Sequence, residues 1–137
     1  MSPEFIVALI GAGVALLGVS ALLFRRLPRR IKRTTYTKKW REVQLLCANK
    51  TTWPAAIIGC DDLLHDVLKK RKINGKSMGE RMVTAQKKFS NNDALWTAHK
   101  LASHIRHSKD VDPKLKEQDV KAALIAFRQA MRDLRAL

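Results

Sequence analysis

Twenty residues from Phe5 to Phe24, FIVALIGAGVALLGVSALLF, carry no charge. At about 1.5 Å per helical residue, that run covers roughly 30 Å, the thickness of a bilayer's hydrocarbon core. A soluble helix of this size shows a polar stripe, and this run offers only Ser20. We read it as a transmembrane helix. It divides the chain into an anchor over 1–24, a basic juxtamembrane linker over 25–36 and a helical domain over 37–137. Beyond the linker, about a hundred residues remain, enough for one small domain with its own core.

The net charge of +15 is spread unevenly over the 137 residues. Residues 25–41 hold nine cations and no acid, whereas residues 42–137 contribute +7 from 18 basic and 11 acidic side chains. Lysines and arginines that follow a first membrane helix stay on the cytoplasmic side. The N-terminus is therefore expected outside and the domain in the cytoplasm, at the cell (inner) membrane. A cleaved signal peptide would carry its basic residues before a shorter apolar run; here they come after it. Arg25, Arg26, Arg29, Arg30, Lys32 and Arg33 form a candidate lipid- or nucleic-acid-binding block. Each cation near an anionic leaflet is worth about 1 kcal/mol. The topogenic signal alone also accounts for the block, and closeness to the membrane favours lipid phosphates over RNA. Within the anchor, Ala8, Gly11, Ala15 and Gly18 share one face, where small residues let a second helix approach. Gly and Ala are also simply common in membrane helices.

The rest reads as helices throughout, so the expected fold is all-α, the membrane helix plus a small antiparallel bundle of about five helices. The first is expected over about 37–49, with Trp40, Val43, Leu46 and Cys47 on one face. Thr51-Thr52-Trp53-Pro54 marks a helix start, a threonine N-cap with proline in the first turn. The second helix then runs to about Arg71 with a 3.6-residue apolar period. Asn74-Gly75 breaks the chain, and Ser77-Met78-Gly79-Glu80 has the form of a capping box. A short third helix buries Met78, Met82, Ala85 and Phe89; a fourth spans about Asp93 to His107. Asp110, Asp112 and Pro113 end it, and a fifth runs from about Leu115 to Leu134. Trp53, Leu64, Trp96 and Phe127 should be buried together. Two cysteines, Cys47 and Cys60, are too few for a disulfide framework and read as buried thiols.

Chemistry is sparse. His104 and His107 share a helix face, but a zinc site needs three or four ligands, and no further ligand is placed by spacing. Asp61, Asp62 and Asp66 read as a solvated acidic face or as partners for lysines rather than as acid–base residues. No phosphate-cradling glycine loop, nucleophile elbow or HExxH is present, and no metal or cofactor is expected.

The run ALWTAHKLASHIRH, Ala94–His107, resembles the helix of HEPN-like bacterial proteins with the common form LW-x-AHKLRN-x-x-AH. Trp53, Ala56, Ile57, Asp61, Leu63 and Leu64, followed by Gly75-x-Ser77-Met78-Gly79-Glu80-Arg81, resemble the same group. The resemblance covers most of residues 50–135 and implies a helical domain. HEPN ribonucleases carry Arg-x(4–6)-His on this helix. The resemblance implies that the arginine grips the scissile phosphate and the histidine assists proton transfer. His107 stands at the histidine position, but Ala102 stands at the arginine position and Ser103 at the asparagine. Lys100 is the one cation at a comparable spacing, and it lacks the bidentate fork of arginine. His107 and Lys100 are thus the candidate catalytic pair of a degraded motif. The sequence favours a non-catalytic, membrane-anchored interaction or scaffold module with a protein partner or a second copy of itself. A membrane-tethered RNA-binding protein or ribonuclease is the alternative.

Overall fold

The computed structural model describes residues 2–27, 30–109 and 114–137, and of Arg26 the backbone alone. The expectations placed on Pro28, Arg29, the Arg26 side chain, Asp110, Asp112 and Pro113 lie outside the described residues. Among the described residues, every regular element is helical. Helix α1 spans Pro3–Arg26, α2 Arg33–Leu45, α3 Trp53–Lys70, α4 Met78–Thr84, α5 Asn92–His107 and α6 Glu117–Asp133. Short 3-10 turns follow α2 and α4.

Over Pro3–Arg25, α1 has a mean hydropathy of 2.5, and no residue of its apolar window is buried against the rest of the chain. It is long and apolar enough to cross a membrane. Its one hydroxyl, on Ser20, donates to the Leu17 carbonyl at 2.9 Å, so no side-chain donor is left over from Phe5 to Phe24. The helix ends at Arg26, and Leu27 is extended, as suits a residue that precedes a proline.

The domain is built around α3, α5 and α6, which pack on one another, with α2 laid on α3. α3 supplies the largest share of the core: Ala56, Ile57, Cys60, Leu63, Leu64, Val67 and Leu68 are all buried. Gly59 marks the closest crossing of α2, since a Cβ there would meet Val43 Cγ2 at 3.3 Å. The short third helix buries Met78 and Met82, with Ala85 and Phe89 just beyond it. α6 contributes Val120, Ala123, Phe127 and Met131.

Several expectations need correction. α2 begins at Arg33, not near Thr37, and it buries Tyr36; Ile31 before it is buried as well. The folded unit thus reaches back into the basic stretch, because two apolar residues there find the core. Leu64 and Phe127 are fully buried, but Trp53 and Trp96 are only partly covered. Trp53 keeps its indole near the surface, where Nε1 donates to the Cys47 carbonyl at 2.9 Å. Cys47 is half-buried, whereas Cys60 is buried.

Helix ends explain where the chain turns. Thr52 holds the N-cap position of α3 but does not cap it; its hydroxyl donates back to the Leu46 and Asn49 carbonyls. Ser77 Oγ accepts from the Glu80 amide at 3.2 Å, while Glu80 accepts from Lys76, one residue earlier than a capping box requires. Asn91 caps α5 by accepting from Ala94 N at 3.0 Å. α3 and α6 both close in Schellman motifs: Ile73 N donates to Leu68 O, and Ala136 N to Met131 O. In each, the left-handed position that favours glycine holds a cation, Lys72 at φ 58° and Arg135 at φ 57°. Gly75 is required where it stands. Its φ is 155°, and a Cβ would lie 2.7 Å from Arg81 N.

Candidate functional site

His107 and Lys100, the candidate pair, both lie on α5. Seven residues apart on α5, they lie two helical turns from each other, about 10 Å along the axis. His107 is exposed at the end of α5, its Nδ1 turned back to the Ser103 carbonyl at 2.8 Å. Lys100 lines a groove between α5 and α6 of about 510 Å³, together with Thr97, Leu101, His104 and Asp119. His107 is not part of that groove. Ala102, at the position where the resemblance expects arginine, is fully buried. Among the described residues, no group of three or more His, Cys, Asp or Glu could hold a metal ion.

The acidic face expected on α3 is split by the fold. Asp61 is 1% exposed, not solvated. One carboxylate oxygen meets His99 Nδ1 at 2.8 Å and the other accepts from Arg106 Nη1 at 3.0 Å. Arg106 reaches Asp62 with its second terminal nitrogen. The Trp96 ring lies edge-on to His99, with centroids 5.9 Å apart. A buried aspartate orienting a histidine is the geometry of a general base. Here the nearby thiol, Cys60, is fully buried, and burial pushes its pKa well above the ordinary range. The constellation is a latch between α3 and α5. Sequence spacing held one clue to it: Asp61 is one helical turn from Ile57 and Leu64, both on the apolar stripe. The partner arginine could not be found the same way, because α5 is distant in sequence.

The C-terminal end of α3 is different. Arg71 donates through Nε and Nη2 to the Leu134 carbonyl at 3.0 and 2.7 Å, so α3 and α6 finish side by side. Tyr36, in the first turn of α2, donates to Asp66 near the end of α3, and Lys70 Nζ lies 5.0 Å from the centre of its ring. Burial, then the bond to Asp66, raise the Tyr36 pKa. The start of α2, where the chain arrives from α1, is therefore at this same end. Residues 69–88 hold eight cations and one acid. Lys70 pairs with Asp66 at 3.7 Å; among the described residues Lys69 and Lys72 have no ion pair. Arg25, Lys69, Lys72, Ile73, Asn74 and Arg81 line a cleft of about 700 Å³ here.

Of the juxtamembrane block, Arg25 stands in the last turn of α1 and lines this cleft. Arg30, Lys32 and Arg33 are exposed just before or at the start of α2. Ala8, Gly11, Ala15 and Gly18 are exposed on α1, and nothing in the chain approaches Gly11 or Gly18. Comparison with protein-family models, with curated proteins and with solved structures found no match for this chain.

Proposed function

We propose that this protein is a single-pass, membrane-anchored helical module that acts by binding rather than by catalysis, with its domain on the cytoplasmic face of the cell membrane. The carrying observation is α1, apolar, of membrane-spanning length and uncovered along its whole span. The cations that follow it orient the chain. The domain is read as HEPN-like with a degraded motif. Supporting the non-catalytic reading, His107 and Lys100 are not gathered around one cleft, and a buried methyl group occupies the phosphate-gripping position. Positioning carries much of the rate in phosphodiester cleavage. Its partner on this reading is a second copy or another cytoplasmic protein, with the small-residue face of α1 available for helix association.

One observation favours the alternative of an RNA-binding or ribonuclease domain: Lys100 and His104 share the α5–α6 groove. Two experiments decide. Crosslinking in native membranes should recover protein rather than RNA. Purified full-length chain should leave RNA uncut above background; cleavage lost in both His107→Ala and Lys100→Ala would establish the enzyme instead.

A further inference from the structure

We propose that the cleft lined by Arg25, Lys69, Lys72 and Arg81 binds the phosphate of an anionic phospholipid headgroup, so that the domain stands on the membrane by the basic end of its bundle. The inference rests on reading α1 as a membrane anchor and adds a site that the juxtamembrane run alone does not contain.

Four observations converge. The cleft has about 700 Å³ of free volume and no acid in its lining. Arg25 is the last residue of the apolar span, so the cleft lies at the depth of the headgroups. Lys69 and Lys72 are exposed and without ion pairs among the described residues. Arg81 has its Nε buried with no hydrogen-bond partner, although Nη1 is held by the Ile73 carbonyl. The bond from Nη1 to the Ile73 carbonyl fixes the guanidinium in the cleft wall, and a guanidinium gives charge-assisted bonds to phosphate oxygens.

Fold, rather than sequence, assembles this site. Lys69 and Lys72 lie some forty residues beyond Arg25, and they reach it because Tyr36 on α2 meets Asp66 on α3. The Schellman turn holds Lys72 beyond the end of α3, and the close pass of Gly75 against Arg81 fixes the second wall. Cations at a helix C-terminus also suit its dipole, but the dipole does not account for Arg25 or Arg81. RNA is the weaker occupant, because the cleft adjoins the anchor in a layer already filled with like-charged phosphates.

The test uses full-length chain in detergent, titrated with phosphatidylglycerol, phosphatidylcholine, inorganic phosphate or a short RNA and read by native mass spectrometry. Phosphatidylglycerol should bind in preference to the others. Lys69→Gln/Lys72→Asn should weaken it roughly thirtyfold, as two interfacial charges would. Asparagine tolerates the left-handed conformation at 72. Lys114→Gln/Lys116→Gln, before α6 and so at the opposite end, should change it little. Equal phosphatidylglycerol binding in wild type and the Lys69/Lys72 variant would overturn the proposal, as would displacement of the lipid by phosphate or by RNA. An alkaline wash of vesicle-reconstituted chain separates the two levels. Wild type and variant should both stay in the pellet; release of wild type would sink the anchor reading itself, and the cleft proposal with it.

Discussion

The middle and the C-terminal end of helix α3 use charge in opposite ways. Midway along it, Asp61 is buried and both of its oxygens are taken by His99 and Arg106. Toward its finish, Lys69 and Lys72 are exposed, beside a cleft with no acid. The charges at the middle are paired within the fold and join α5 to α3. At the C-terminal end Lys70 pairs with Asp66 and Arg71 with the Leu134 carbonyl, while Lys69 and Lys72 have no ion pair among the described residues. On the proposed reading, stability and binding are separable along a single element.

The largest test of that separation is Asp61→Ala. It takes from His99 and Arg106 their buried partner, though Arg106 keeps Asp62, and such a loss costs about 3 kcal/mol. Denaturant unfolding followed by helical circular dichroism should show the loss, and a shift of under about 1 kcal/mol would show that the latch is not holding the helices. Next is Gly75→Ala, just beyond the C-terminal end. The added methyl would lie 2.7 Å from Arg81 N in a backbone conformation that L-residues avoid. A cost of about 1–3 kcal/mol is expected. An unchanged midpoint would mean that the turn relaxes freely.

Between the two regions sits His65, one turn after Asp61 and one turn before Lys69. Burial lowers its pKa first, then the charges of Lys69 and Arg81, against the opposing pull of Asp61 and Asp62. The folded value therefore lies below the unfolded one of about 6.5. Above that value both states are neutral and the group costs nothing. As pH falls below it, the unfolded chain takes up the proton first, so stability is lost on acidification. His65→Gln should remove this part of the pH dependence, and Lys69→Gln should shrink it. A steeper acid loss in Lys69→Gln would show that the basic end does not set the field at His65. The smallest expected effect is on the stability of Lys69→Gln/Lys72→Asn, within about 0.5 kcal/mol of wild type by the same unfolding measurement.

Helical periodicity made most of the architecture legible. The apolar stripes of α3 and α6, the Asn-Gly break and the caps Ser77 and Asn91 are local signals, and local signals survive in sequence. The first turn of α2, Arg33-Thr34-Thr35-Tyr36, is illegible in sequence because it is polar except for Tyr36, whose partner Asp66 lies 30 residues on. The sites were harder to read. Asp61 looks like its exposed neighbours until α5 supplies Arg106 across 45 residues. Lys69 and Lys72 look like dipole-complementing cations until the fold brings Arg25 and Arg81 beside them. Pairings between distant elements leave no trace in spacing, whereas His107 and Lys100 are a local pair, seven residues apart on one helix.

The most direct test of this account compares the two ends of the domain against a membrane. Full-length chain with Cys47→Ala, reconstituted in vesicles of phosphatidylcholine with phosphatidylglycerol, would carry a nitroxide at Lys76→Cys or at Lys116→Cys. Both native positions are exposed. Accessibility to a water-soluble relaxant should be strongly reduced at 76 by the headgroup layer and should remain that of bulk solvent at 116. Equal accessibility at the two positions, or shielding at 116 instead, would contradict a domain that stands on the bilayer by its basic end.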